Sequence, residues 1–348
     1  MRPAAIKPDM IPVPPTSRQP PAWQRALQDA VTDPAELLAL LGLGPQWLEP
    51  ARAAARRFPL RVPRGFVARM RHGDARDPLL RQVLPLGEEL DDVPGFGTDP
   101  VGDLAARSGP GVLQKYDGRA LLVTTGACAV HCRYCFRRHF PYDEENASRG
   151  GFEPALAAIG RDPSINEVIL SGGDPLTLGD RRLAELFDGL RAVPHVRRLR
   201  LHTRLPIVLP ERIDAGFLGL WSAVPLQKVI VVHANHAREI DGSVRAAIES
   251  LKSTGTTVLN QAVLLRGVND SADDLVTLSE TLFAAGVLPY YLHLLDPVAG
   301  AAHFDVPMAT AQRLVAEAGA RLPGYLVPRL VREEAGAPSK TMLPPASR

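Results

Sequence analysis

Three thiols fall within eight consecutive residues, Cys128-Ala-Val-His-Cys132-Arg-Tyr-Cys135, and the 348-residue chain has no other cysteine. A disulfide framework shows an even number of cysteines spread along a short secreted chain, so this is not one. Thiols this close suit metal or cluster ligation. The spacing C-x3-C-x2-C provides one thiolate for each of three irons of a [4Fe–4S] cluster and leaves the fourth iron without a protein ligand. An iron left open in this way can coordinate a substrate or cosubstrate, whereas four cysteines would make a closed electron carrier. Zinc is the rival reading, with His131 or His139 as a fourth ligand. The cysteine spacing is unlike that of the usual paired zinc knuckles.

The elements that must position these thiols are legible around them. Strand candidates are Ala120–Thr125, Glu167–Ser171, Arg197–Thr203, Lys228–His233, Thr256–Leu265 and Leu288–Leu295. Amphipathic runs such as Arg181–Leu190 and Ser243–Leu251 lie between several of them. Repeated strand–helix units imply a parallel sheet with helices outside it. Six units are too few for a closed eightfold barrel, so the expected fold is α/β, a partial (β/α)6 barrel. The cysteine motif follows its first strand. The second strand ends in Ser171-Gly172-Gly173-Asp174-Pro175, glycines that suit a tight turn at the strand end where this architecture binds ligands.

Upstream, residues 1–22 read as an extended Pro-rich arm. Helices are expected from Trp23, after the N-cap Asp33 with Pro34 in the first helical position, and over 46–72. The stretch 85–110 reads as loop. The expected organisation is an N-terminal arm and helical region over 1–110, a barrel over 111–323, and a C-terminal segment over 324–348.

The cysteine and glycine motifs together resemble the radical S-adenosylmethionine superfamily. Longer runs narrow the resemblance to the lysine 2,3-aminomutase family. They are Phe58-Pro-Leu-Arg-Val-Pro, Asp77-Pro-Leu-Leu-Arg-Gln-Val-Leu-Pro, Cys135-Phe-Arg-Arg, Arg204-Leu-Pro-Ile-Val-Leu-Pro-Glu-Arg-Ile, Asn260-Gln-Ala-Val-Leu-Leu-Arg-Gly-Val-Asn-Asp and Pro289-Tyr-Tyr-Leu. The resemblance implies three cofactors: the cluster, S-adenosylmethionine and pyridoxal 5′-phosphate. It also implies an isomerase that moves an α-amino group to the β-carbon by radical chemistry.

Site roles follow from the same resemblance. Cys128, Cys132 and Cys135 stand at the cluster. Ser171, Gly172, Gly173 and Asp174 stand at the methionine moiety of the cosubstrate, and His233 and Gln261 near its adenosyl group. Lys340 occupies the place of the family's Schiff-base lysine, and Lys115, Tyr116 and Arg119 the segment used at the cofactor phosphate. Arg137 matches the arginine that meets the substrate carboxylate. Asp296 and Glu333 match acids that receive an ε-ammonium, which favours a cationic amino acid such as L-lysine. Judged by its surroundings alone, Lys340 would be an ordinary solvated lysine near a polar C-terminus.

Three departures place the chain closer to a short subgroup of that family. It has no C-terminal cysteines, Gly336-Ala-Pro-Ser replaces the glycine run before the lysine, and His293 stands three residues before Asp296 in place of tyrosine. The subgroup it resembles makes (R)-β-lysine for modification of translation elongation factor P. That implies a functional link to a factor P lysyl ligase and an electron donor such as a flavodoxin or ferredoxin. The remaining alternatives are a related aminomutase for another amino acid and a non-catalytic iron–sulfur or zinc protein.

Bulk properties agree with an ordinary globular enzyme. Lys plus Arg number 40 against 38 Asp plus Glu, so no global field argues for nucleic acid or an anionic membrane. No segment reaches the ~18 consecutive apolar residues of a membrane span, and the first ten residues lack the apolar stretch of a secretory signal. The expectation is a soluble, cytoplasmic protein.

Overall fold

The structure is a computed structural model that describes residues 20–148 and 150–346. Most of the arm expected over 1–22 lies outside the described residues, and Ala22 already opens a helix that runs to Gln28. Ten strands form one sheet in sequence order. They are β1 (Arg107–Gly109), β2 (Val112–Tyr116), β3 (Arg119–Thr125), β4 (Glu167–Gly172), β5 (Arg198–Thr203), β6 (Gln227–Val232), β7 (Thr257–Val263), β8 (Leu288–His293), β9 (Arg329–Arg332) and β10 (Thr341–Met342).

Strands β3 to β8 are the six expected parallel strands, each paired with the next. The centres of β3, β4 and β6 are apolar, as suits strands covered on both faces, while β5 and β7 place Arg200, Asn260 and Gln261 among apolar residues. The helices between them carry the sequence signals expected of them. Asp241 and Ser271 cap the helices Gly242–Ser253 and Ala272–Ala284 through side-chain oxygens that accept backbone N–H groups. Upstream, Asp33 accepts from the N–H of Ala35, one residue beyond Pro34.

The sheet extends past six strands. Strand β9 adds a seventh parallel strand against β8, and β10 returns antiparallel to β9. At the other edge β1 and β2 form an antiparallel pair against β3. These additions are two to five residues long, too short to show a period in sequence. The sheet stays open, with β1 and β10 as its edges.

One apolar cluster runs through the whole molecule, from Trp23 and Leu37 through Leu170 and Leu201 to Leu326 and Leu330. The helical N-terminal region is therefore packed onto the barrel. Its polar attachment is equally specific. The carboxylate of Glu89 is buried and meets two arginines of the cysteine loop. Arg133 donates to it through Nε at 2.8 Å and Nη2 at 2.5 Å, and Arg138 through Nη2 at 2.8 Å. Arg133 also donates to the carbonyl oxygens of Phe58 and Pro59. The loop that carries the thiols is thus held from outside the barrel by one acid.

Removing one member of a buried ion pair leaves a charge without compensation. Glu89→Gln is expected to lower unfolding free energy by about 3–5 kcal/mol, the range for breaking such a pair. Chemical denaturation of wild type and variant measures it.

Candidate active site

Because the core strands are parallel, all of their carboxyl ends reach the same side of the sheet, where they surround a cavity of about 440 Å³. Every residue given a site role by the family resemblance lies on its wall. The cysteine loop leaves β3, the glycine turn ends β4, His233 follows β6, Gln261 is on β7 and Asp296 follows β8. Lys115 and Tyr116 end β2, while Arg119 begins β3. Glu333 follows β9, and Lys340 immediately precedes β10. The short edge strands therefore deliver the far end of the site.

The three thiols line the cavity near one another. Burial pushes the Cys128 thiol well above its usual range and the Cys135 thiol up to about 11, with neighbouring thiols adding to both effects. Uncompensated thiols in this setting keep their protons, and positive charge from bound iron is what allows such groups to ionise. Among the described residues no three His, Cys, Asp or Glu side chains converge where a single metal ion would sit. A [4Fe–4S] cluster takes one thiolate on each of three irons, which suits three thiols on one wall. His131 and His139, the candidate zinc ligands, are bonded to the carbonyl oxygens of Pro59 and Ala299, and neither lines this cavity.

The glycine turn presses against the cysteine loop. Gly173 donates to the Thr125 carbonyl at 2.7 Å and Asp174 donates to that of Ala127 at 2.8 Å. A Cβ on Gly173 would stand 2.4 Å from the Ala127 oxygen, so only glycine fits. Gly172 has φ +106°, a left-handed conformation that also favours glycine. Asp174 faces inward to the scaffold: its carboxylate accepts from Leu176 N–H, Thr203 Oγ1 and Arg204 N–H. Burial raises its carboxyl to about 6 against those bonds. On the same cavity wall, His233 is held neutral by burial, its pKa down to about 3, with Nε2 3.0 Å from Gln261 Nε2.

At the far end, cations and carboxylates interlock. Arg137 Nε donates to Asp103 Oδ2 at 2.6 Å, and Nη1 donates to Ser171 Oγ at 3.2 Å. Lys115 Nζ lies 2.7 Å from the other Asp103 oxygen. Burial would raise Asp103, but Arg137 and Lys115 override it and hold the carboxyl below its usual range. Lys340 Nζ pairs with Glu333 Oε2, and Tyr116 donates to Glu333 Oε1 at 2.6 Å. Burial opposes ionisation of Glu333 as well, and Lys340 overcomes it. Arg119 stacks on Tyr116 with its guanidinium carbon 5.0 Å from the ring centre. Among the described residues it is a cavity cation with no carboxylate at salt-bridge distance, which leaves it available to an anion such as phosphate. Lys340 lies 5.9 Å from the ring centre of Tyr291.

Two of these residues had no signal in the sequence. Asp103 sits in a Gly/Pro/Asp-rich loop among several other acids, and nothing local distinguishes it. Tyr291 lies inside a matched run without a role attached.

No family model matches the chain. Curated relatives do. The L-lysine 2,3-aminomutase of Escherichia coli K12 is 49% identical over 322 residues, covering 92% of this chain and 94% of its own length. Those of Haemophilus influenzae and Buchnera aphidicola are 45% and 42% identical, covering 96% and 91% of this chain and 98% and 94% of theirs. Among solved structures, a radical SAM methyltransferase from Sphaerobacter thermophilus is similar over 64% of this chain and 68% of that one, at 19% identity and a TM-score of 0.48.

Asp296 yields a prediction from its electrostatic setting. It is half-buried on the cavity wall, and desolvation raises its carboxyl to about 7, Lys340 only partly offsetting that. A carboxyl raised above its unfolded value of about 3.9 binds a proton in the folded state over that interval. Its contribution to stability is thus complete below pH ~4 and is lost as pH rises through about 7. Asp296→Asn is expected to flatten this dependence, becoming more stable relative to wild type at pH 8 than at pH 5. Denaturant unfolding of both proteins at the two pH values checks it.

Proposed function

The chain belongs to the L-lysine 2,3-aminomutase family, and from that premise we propose that it converts L-α-lysine to (R)-β-lysine at the cavity described above. The observation that carries the reading is the placement of three thiols and one lysine on a single cavity wall, although Lys340 is more than two hundred residues from the cysteines. Thiols at one end fit a [4Fe–4S] cluster with S-adenosylmethionine, and Lys340 with Arg119 and Lys115 at the other fits pyridoxal 5′-phosphate. When bound, these groups supply a carbon radical and a carbonyl that makes the amino group mobile.

The protein's own contribution is placement, neutralisation and exclusion of water. Arg137 is fixed by Asp103 through Nε and by Ser171 through Nη1. Its remaining donors can meet a substrate carboxylate with the planar geometry that a lysine lacks. Glu333 pairs with Lys340 in this structure and has Lys115 3.8 Å away as a second cation. Lys340 would hold the pyridoxal phosphate, and with less of the Lys340 charge on Glu333, this acid and the nearby Asp296 would suit the ε-ammonium of a lysine substrate. An acidic substrate would instead add negative charge to two carboxylates. Tyr116 holds Glu333 in place throughout by donating to Oε1.

The finer parts of the reading rest on sequence features: Glu333, and Pro338-Ser339 before Lys340. They support (R) stereochemistry and a role in elongation factor P modification together with a lysyl ligase; reduction by a flavodoxin or ferredoxin in the cytoplasm is part of the same proposal. No helix among the described residues is long and apolar enough to cross a membrane. We propose three functional segments: an attachment region over 1–110, the barrel over 111–323 and a lysine-bearing tail over 324–348.

Anaerobic reconstitution followed by chiral chromatography of the product from L-lysine tests the function. The expected product is predominantly (R)-β-lysine, formed only with S-adenosylmethionine, pyridoxal phosphate and a reductant together. A predominantly (S) product would remove the chain from the short subgroup, and no β-lysine under these conditions would refute the activity.

A further inference from the structure

Behind Cys132 lies a buried cation that the chemistry above does not use. Arg204 follows β5 and is 4% exposed. Its Nη2 donates to Gln82 Oε1 at 2.6 Å and to Glu239 Oε2 at 3.0 Å. Its Nη1 donates to Cys132 Sγ at 2.7 Å. The faces of Phe66 and Tyr134 lie 5.6 and 5.7 Å from the guanidinium carbon. Its backbone N–H donates to Asp174, so the glycine turn fixes where this side chain begins.

A structural arginine would be complete with Glu239, which also accepts from Gln82 Nε2 and from the N–H groups of Asn235 and His236. Gln82 is itself held by the Pro78 carbonyl and receives Asn235 Nδ2. The network therefore satisfies the carboxylate without Nη1 and directs that nitrogen to the sulfur. The other arginines of the cysteine loop are taken elsewhere, Arg133 and Arg138 by Glu89 and Arg137 by Asp103. Hydrogen bonds to ligand sulfur, and positive charge beside it, favour the reduced and more negative state of an iron–sulfur cluster. The effect is enhanced in a buried setting, where the local dielectric is low.

We propose that Arg204 is a positioning residue that donates to the Cys132 sulfur and raises the cluster's reduction potential, bringing it within reach of a low-potential one-electron donor. The step it assists is the transfer of one electron from that donor to the cluster, with no atom exchanged. This inference rests on the reading that the three thiols hold a [4Fe–4S] cluster. Gln82 and Glu239 act at one remove by aiming the guanidinium, which makes the N-terminal region part of the redox apparatus as well as of the scaffold.

The test uses full-length wild type, Arg204→Gln and Arg204→Lys, each reconstituted anaerobically and assayed for iron, about four per chain expected. The midpoint potential is then measured by EPR-monitored titration with dithionite. With iron content unchanged, Arg204→Gln is expected to have the most negative potential. Arg204→Lys should fall between it and wild type, because the charge remains while the planar N–H fork is lost. If Arg204→Gln does not fold, Arg204→Lys alone decides. A folded, iron-replete variant with the wild-type potential overturns the proposal. Loss of iron from both variants also overturns it, since Arg204 would then serve assembly and not potential. A wild-type protein that takes up no iron would instead refute the cluster reading on which the proposal rests.

Discussion

Taking a guanidinium or an ammonium out of water costs several kcal/mol per ion unless a counter-charge is in contact. The open end of this sheet gathers Lys115, Arg137, Arg204 and Lys340 around one cavity, and each has a carboxylate within reach. Local neutralisation decides much of what surrounds the site. Asp103 must come in from the loop before β1 to serve Arg137 and Lys115. Glu333 must stand at the end of β9 to serve Lys340. Glu239 must be reachable by Arg204. The strands supply the direction, since parallel strands end together, but the acids decide which loops may close over them.

The same constraint explains why the N-terminal region and the barrel are mechanically one body. Glu89, from outside the barrel, neutralises two arginines that flank Cys135 in sequence. Gln82, also outside it, orients the arginine behind Cys132. Apolar packing continues across the same boundary. The cysteine loop is therefore positioned from two sides, by the glycine turn within the barrel and by polar side chains beyond it.

Much of this was legible in sequence. The cysteine spacing, the glycine pair and the six core strands are local patterns, and the structure places them as read. The partners of the charges were not legible, because they are distant in the chain: Arg204 meets Gln82 across 122 positions and Tyr116 meets Glu333 across 217. A buried carboxylate such as Asp103 or Glu89 looks like any surface acid until the fold closes on it. The partners of Asp174 were equally out of reach in sequence: its oxygens accept from Thr203 and Arg204. The short strands β1, β2, β9 and β10 escaped detection for lack of length.

Lys340 shows how far position outweighs local texture. Its neighbours Pro338, Ser339 and Thr341 read as a solvated tail, yet a two-residue pairing of β10 with β9 and one further bond from Leu343 to the Leu330 carbonyl bring it onto the cavity wall. The chain has five lysines, and among the described residues only Lys115 and Lys340 line that wall. We propose that this tail delivers the covalent cofactor residue to the cavity that holds the thiols. Borohydride reduction of cluster-reconstituted protein loaded with pyridoxal phosphate, followed by peptide mapping, tests it directly. A pyridoxyl adduct is expected on the peptide that contains Lys340. An adduct on Lys115, or bound cofactor that leaves Lys340 unmodified, would contradict it.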